Sequence, residues 1–320
     1  MATHLSARSY AGDRDLSAIA DLINTCEAID RLEEGTSISE LQQKFDAPSL
    51  DKTRDLCLWE DASSKLIAFA QLSVSEPGEV ADGWLWFHVR PEMRGGEVEA
   101  SAIAWGEARM QEVAKERGTP VKLRSYVRAE NGDRISLLIN HGFQVDRYFF
   151  RMARDLSEPI PQAQFPEGFL LRQVSCERDA AAWVEMFNQS FIDHWNHHDS
   201  TVEEFNYYST LPNYRNDLDS IAIAADGTLA AFCYCEINPE ENDRTGRNEG
   251  WIGVLGTRRG FRKLGLGRAM LLAGLQRLKA AGVDTAILGV DAENPSGALR
   301  LYESTGFRKI RNSISYVKDV

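Results

Sequence analysis

Cysteine is scarce in this sequence: five residues, at positions 26, 57, 176, 233 and 235, odd in number and never at C-x-x-C spacing. That argues against a disulfide framework or a cysteine-based zinc site as the organising feature. The thiols read as reduced core or strand residues; Cys233 and Cys235, two apart on an apparent strand, share one face as packing residues do. No apolar run approaches the length of a membrane span. The opening MATHLSARSYAGDRD has neither a basic n-region nor an apolar h-region, so a cytoplasmic protein without membrane association is expected. Positive charge is also short: 36 Lys and Arg stand against 48 Asp and Glu, a net charge of −12. Such a field repels phosphate and argues against general nucleic-acid binding, so any anion must be met by a local cluster of cations or amides. There is no Walker Gly-Lys-Ser/Thr and no H-E-x-x-H. The stretch DHWNHHD, Asp193 to Asp199, spaces His194 and His198 as one helical face would, but no neighbours complete a ligand set, and no metal is expected.

What the chain does have is a copy of itself. GFQVDRYFFRMARDL, from Gly142, and GFRKIRNSISYVKDV, from Gly306, share Gly-Phe, then Arg147 and Arg311, then Asp155 and Asp319, at equal spacings. Ala129-Glu130-Asn131 answers Ala292-Glu293-Asn294; LIAF at Leu66 answers LAAF at Leu229; Gly83-Trp84-Leu85 answers Gly250-Trp251-Ile252. Four anchors in one order mark a tandem duplication. Between the copies, DLSEPIPQAQFPEG carries Pro159, Pro161 and Pro166 and reads as a linker. The division falls at 1–157 and 158–320. Each half reads as a strand, an amphipathic helix, paired strands, a longer strand, a glycine-bearing turn, a helix, a strand, a short helix and a last hairpin. IAIAADGTLAAFCYC carries a hairpin signal at Asp226-Gly227. An α/β fold with a mixed sheet and helices on its faces follows.

The most telling stretch is RKLGLGRAMLLAGL, Arg262 to Leu275. Amides at a helix start are unpaired and sit at the positive end of the helix dipole, and glycines let them converge on a close ligand. Arg258, Arg259, Arg262, Lys263 and Arg268 surround this turn in an otherwise acidic chain. A phosphate-rich anion is the natural guest. A dinucleotide fingerprint would need a third glycine where Met270 stands. What remains is R-x-x-G-x-G after the strand GWIGVLGT, followed by N-x-x-x-A-x-x-x-Y-x-x-x-G-F from Asn294 to Phe307.

In these two motifs the sequence closely resembles the GNAT acyltransferase superfamily, across the whole second half and weakly in the first. The tandem arrangement, with FIDHWNHHD and LGVDAENPSGALRLYESTGF, is similar to the mycothiol synthase branch. The resemblance implies two tandem domains, each a mixed, mostly antiparallel sheet flanked by helices, and an acetyl-CoA-dependent N-acetyltransferase acting on a small-molecule amine. It implies that the amides of Lys263, Leu264, Gly265, Leu266, Gly267 and Arg268, with Arg262 beside them, wrap the pyrophosphate of coenzyme A. The strand edge at Leu255, Gly256 and Thr257 would pair with the pantetheine arm, which requires the strands to splay, and Asn294 would contact the cosubstrate. Tyr302 is then the general acid, since a phenol can hand a proton to a departing thiolate. Glu249, at the start of the motif strand, is the candidate base, directly or through water, and Glu236 is the second choice. Phe191, Asp193, His194 and Trp195, with Glu236, are candidates for acceptor contact, though capping and aromatic packing explain the first four as well.

The first half has HVRPEMRGGEVEA where the phosphate loop should stand, and Glu97 and Glu99 bring carboxylates to the phosphate position. Counting back from Gly142 puts Leu138 where the tyrosine should be. This half is expected to be structural. The alternative from another class is a non-catalytic acyl-CoA sensor or scaffold, which needs the loop but neither Tyr302 nor Glu249.

Overall fold

The computed structural model describes residues 5–320; Met1 to His4, the first part of the stretch read for a targeting signal, lie outside the described residues. The first unit runs to Arg147 and takes back Ser313–Val320; the second is Tyr148–Asn312. The expected division at residue 157 follows the repeat, whereas the compact units part at Arg147 and again at Ser313, because the chain crosses over within a strand each time.

In chain order the elements are β1 (Ser6–Ser9), α1 (Leu16–Asp30), α2 (Ile38–Phe45), β2 (Leu56–Glu60), β3 (Leu66–Val74), β4 (Ala81–Val89), α3 (Glu97–Arg117), β5 (Val121–Arg128), α4 (Gly132–Asn140) and β6 (Gln144–Asp155). The second copy continues with β7 (Phe169–Gln173), α5 (Cys176–Phe191), α6 (Val202–Ser209), β8 (Asp219–Ala224), β9 (Leu229–Glu236), α7 (Pro239–Thr245), β10 (Glu249–Thr257), α8 (Leu266–Ala280), β11 (Thr285–Asp291), α9 (Ala298–Ser304) and β12 (Arg308–Asp319). The first unit's sheet has the order β1-β2-β3-β4-β5-β12 and the second unit's β7-β8-β9-β10-β11-β6. In each, one pair is parallel, β4 with β5 and β10 with β11, and the other pairings are antiparallel. This is the mixed, mostly antiparallel sheet flanked by helices that the sequence led us to expect. The last strand of each sheet, however, comes from the other copy of the repeat: β12 pairs with β5 over Ser313–Asp319, and β6 pairs with β11 over Phe149–Asp155.

The local code is duplicated down to its ion pairs. Arg8 forks onto both oxygens of Asp15, which also accepts the Ala11 amide; Arg172 forks onto Asp179, which accepts the Ser175 amide. Ser37 with Glu40 opens α2, and Thr201 with Glu204 opens α6, each as a capping box that satisfies two orphan helix-end amides. Strands β3 and β9 are buried almost throughout, as sheets covered on both faces require. In the second unit α8 covers one face through Met270, Leu271 and Leu275, and α5 the other through Trp183 and Met186. Cys233 and Cys235 lie under α8 with their sulfurs 3.7 Å apart; a Cβ on Gly274 would come within 2.6 Å of one of them, so the thiols are packing residues. Among the described residues no helix is long and apolar enough to cross a membrane.

Candidate active site

Strand β10 is where the second unit opens. It pairs with β11 only from Glu249 to Trp251, and a bulge between Ile252 and Val254 turns the remainder away while β11 continues along β6 to Asp291. A bulge bends a strand and ends regular pairing, which here leaves the β11-facing edge of β10 without a strand partner. The opening is a cleft of about 840 Å³ between β10, the end of β11, the turn after β10 and α9. Its rim is the expected loop. Lys263 and Gly265 both have positive φ, 66° and 92°, so successive amides turn toward one side before Leu266 begins α8. Two left-handed residues in such a turn make a concave amide nest. A Cβ on Gly267 would stand 3.5 Å from the Thr257 hydroxyl, an ordinary contact, so the helix start and the strand end lie side by side there without requiring glycine. Gly256 is needed for packing: a Cβ would lie 2.4 Å from the Phe232 ring.

Leu255, Gly256, Thr257, Arg262, Lys263, Leu266, Gly267, Asn294 and Tyr302 all line the cleft, as do Phe191, Asp193 and His194. Leu264, Gly265 and Arg268 belong to the same turn without lining it, and Trp195, Glu236 and Glu249 lie outside it. Most of the cations around the turn are already paired. Arg262 binds Asp193 at 2.6 Å and donates to the carbonyls of Ser190 and Thr257; Arg259 also reaches Asp193, at 3.3 Å; Arg258 pairs with Glu185; Arg268 donates to Ser304. Asp193, a candidate for acceptor contact, lines the cleft and also pairs with Arg262, which reaches α5 through the Ser190 carbonyl. Lys263 forms no ion pair among the described residues. The attraction for an anion therefore rests chiefly on the amides and the helix dipole.

Tyr302 is 8 % exposed, packs edge-on against Phe307 with ring centroids 6.0 Å apart, and turns toward the cleft from α9. Burial, with Cys233 nearby, pushes its phenol well above the ordinary range, so it is fully protonated at neutral pH. The side-chain oxygen of Asn294 accepts the Ser296 amide and so shapes the turn into α9. Glu249 is held by Arg151 at 3.0 Å and Arg247 at 3.6 Å, and Asn242 brackets its backbone. Glu236 ends β9 opposite Trp251; burial, then the nearby Glu241, pushes its carboxyl up. In DHWNHHD, His194 bonds to the Trp195 carbonyl and His197 to Asp199, and no group of three or more potential ligands gathers among the described residues. Sequence reading missed Gly289, Val290 and Asp291 of β11, which line the cleft because β10 parts from β11 beside them.

In the corresponding region of the first unit β4 likewise pairs with β5 only from Ala81 to Trp84, but side chains take up the free backbone groups. The Gly95 amide is taken by the Glu99 carboxylate at 2.7 Å. The Arg134 guanidinium donates to the Phe87 carbonyl and lies 3.4 Å over the Phe87 ring. Strand β4 has no bulge, and Leu138, at the tyrosine's place, is fully buried.

A model of the acetyltransferase (GNAT) family matches residues 180–307. The mycothiol acetyltransferase of Thermobispora bispora is 28% identical over 319 residues, 99% of each chain. Among solved structures, a GCN5-related N-acetyltransferase from Sphaerobacter thermophilus superposes with a TM-score of 0.75 and 25% identity over 98% of this chain and 95% of that one. A tandem GNAT protein from the clavulanic acid biosynthesis pathway shares the fold, with a TM-score of 0.70 and 14% identity over 99% and 98%.

Proposed function

We propose a division of labour for a chain that belongs to the GNAT acetyltransferase superfamily and moves an acetyl group from acetyl-CoA to a small-molecule amine. The second half carries the reaction, with Tyr302 as general acid and Glu249 as general base acting through a water; the first half is a structural partner. The observation that carries this reading is the convergence, in one cleft, of the amide nest at Lys263–Gly265, the unpaired edge of β10 and the Tyr302 phenol.

Transfer from a thioester makes three demands: the amine must lose a proton, the oxyanion must be met by a donor, and the departing thiolate should be protonated. The pyrophosphate is met by the amides from Lys263 to Arg268, and the pantetheine arm pairs with β10 at Leu255–Thr257, where a backbone amide also faces the oxyanion. A thiolate whose thiol has a pKa near 8.5 is a weaker base than a phenolate whose phenol is near 10, so Tyr302 must donate as the C–S bond breaks. Its raised pKa keeps it loaded with the proton. Two guanidiniums hold Glu249, which lies outside the cleft, and this is why a water is assigned between it and the amine. Glu236, whose burial pushes its carboxyl up, is the second candidate.

The first acceptor to try is the amine on which the mycothiol acetyltransferases act, given the similarity of this chain to them along its whole length. Glu99 in the loop and Arg134 on the Phe87 carbonyl support the reading that the first half does not bind the cosubstrate. Calorimetric titration with acetyl-CoA tests this: one site per chain is expected. Two sites would return the first half to function, and none would remove the acetyltransferase assignment.

A further inference from the structure

Glycines in the strands of the second unit have packing reasons, with one exception. A Cβ on Gly250, Gly253 or Gly256 would stand 2.7, 3.2 or 2.4 Å from a neighbouring side chain. Gly289, in the middle of β11, has no such neighbour: a Cβ there would meet nothing within 4 Å among the described residues, and its φ lies outside the left-handed region. A strand-interior glycine weakens its strand; since neither packing nor backbone conformation accounts for this one, what it reserves is space. That space has a definite side. Leu288 and Val290 are buried in the cluster that holds Tyr302 and the inner face of α8, so by alternation Gly289 faces the other way, toward the side covered by α5. Phe187 and Phe191 of α5 line the cleft with it. The first unit has large side chains at the corresponding positions. Tyr126 stands three residues before Ala129-Glu130-Asn131, as Gly289 stands three before Ala292-Glu293-Asn294. Trp86 stands three after Gly83, as Gly253 stands three after Gly250. Gly253 and Gly289 each lie two residues beyond the last pair of β10 with β11, Trp251 with Ile287, so they flank the point where the strands part.

In the reaction proposed above the amine nitrogen attacks the acetyl carbon, a C–N bond forms and the C–S bond breaks; the amine's proton passes to the base and the thiolate takes the proton of Tyr302. We infer that Gly289, with Gly253, is the port through which the acceptor amine reaches that carbon, and that Gly289 sets how much bulk the amine carries. The inference rests on the placement of the pantetheine arm along β10 given above. An arm that pairs from Thr257 to Leu255 directs its thioester to Gly253, which is four residues before Thr257 and roughly 13 Å away along an extended strand. There the α8 face is filled by Ile252, Leu288, Val290 and Tyr302. The open side is over Gly289, where bare backbone lets a substituted carbon beside the nitrogen come close without meeting a side chain. The acceptor class that fits is a primary amine on a branched carbon. A tyrosine at this position, as in the first unit, would occupy that approach.

The test is calorimetric titration of the full chain with acetyl-CoA and with two conjugates that carry the amine in place. In each, the sulfur of coenzyme A bears a –CH2–CO–NH–R group, with R methyl or cyclohexyl. The parent should bind the two conjugates within about threefold of each other. Gly289→Tyr, which installs the first unit's residue, should weaken the cyclohexyl conjugate by about 20-fold or more while acetyl-CoA stays within about twofold, since the amide nest and the β10 edge are untouched. Gly289→Ala should change either conjugate by less than about threefold. A cyclohexyl conjugate that Gly289→Tyr binds as the parent does overturns the port, and so does a parent that rejects cyclohexyl by more than about tenfold against methyl. Equal losses for acetyl-CoA and both conjugates in Gly289→Tyr would assign the glycine to the cosubstrate arm and also overturn it. All three of these outcomes leave the parent binding acetyl-CoA and reject the port alone, whereas a parent that binds none of the three ligands removes the acetyltransferase reading as well.

Discussion

The two units solve the same positions with opposite results. Arg94 reaches Asp30 and the Val89 carbonyl in the first, and Arg262 reaches Asp193 and the Thr257 carbonyl in the second, so the strut under the loop is common to both. Above the strut they part. The second unit turns its amides outward through Lys263 and Gly265, while the first gives its Gly95 amide to Glu99. In both, the motif strand parts from its parallel neighbour after the tryptophan, β4 from β5 beyond Trp84 and β10 from β11 beyond Trp251; the second adds a bulge there, while the first keeps β4 in continuous register with β3 and covers the Phe87 carbonyl with Arg134. A buried acid near the start of β2 and of β8 shows the same divergence: Asp55 is paired with buried Arg109 at 2.8 Å, whereas Asp219 accepts the Tyr214 hydroxyl and forms no ion pair among the described residues, Arg277 donating to the Asp217 carbonyl. The strut and the ion pair before the first long helix are thus common to the two units, whereas the loop amides, the motif strand and the buried acid differ.

The comparison breaks most visibly at the tyrosine. Tyr302→Phe should lower kcat on an accepted amine by about 10²–10⁴-fold with the calorimetric affinity for acetyl-CoA within about twofold; an unchanged kcat would remove the acid from the mechanism. Next in size, Asp55→Asn in the first unit should cost about 3 kcal/mol in denaturant unfolding, since it leaves the Arg109 charge buried without its partner. Gly265→Asp comes third: a carboxylate at the mouth of α8 imitates the Glu99 arrangement and should weaken acetyl-CoA binding by about 50-fold or more in the same titration. Retention of half the sites would mean that the first unit binds after all.

The smallest effect sharpens the pair of buried acids. Burial raises Asp219 to about 7 against an ordinary value near 3.9, so the folded chain holds a proton that the unfolded chain has lost. Stability from this group is therefore fully present below about pH 4, declines as pH rises, and is lost above about 7. Asp219→Asn keeps an oxygen for the Tyr214 hydroxyl without the charge, and should be more stable than the parent by about 1–2 kcal/mol at pH 8 and equal to it near pH 4. Denaturant melts at the two pH values decide it; a loss of stability at pH 8 would show that the carboxylate is compensated.

Much of the site was legible because its chemistry is local. The left-handed turn needs Gly265, the helix start supplies the amides, and the spacing from Asn294 to Phe307 puts Tyr302 on the cleft side of a short helix. Glu249 was less legible: position on a strand says nothing about Arg151, which comes from the other copy of the repeat and draws the carboxylate away from the cleft. The cations around the loop likewise looked available in sequence, but Glu185 of α5 and Asp193 just beyond it had claims on them that only packing discloses.

By itself, then, the sequence determined the duplication, the order of strands and helices, the amide-rich turn, the buried phenol and the loss of both in the first half, because each depends on residues close together in the chain. Only the tertiary structure decided which sheet each terminal strand joins. β6 and β12 descend from the same repeat and carry the same pattern of Gly-Phe, Arg and Asp, so either could edge either sheet. Their exchange is settled by long-range pairing with β11 and β5, in which the path of the chain and the facing neighbours choose between strands that local preference treats alike.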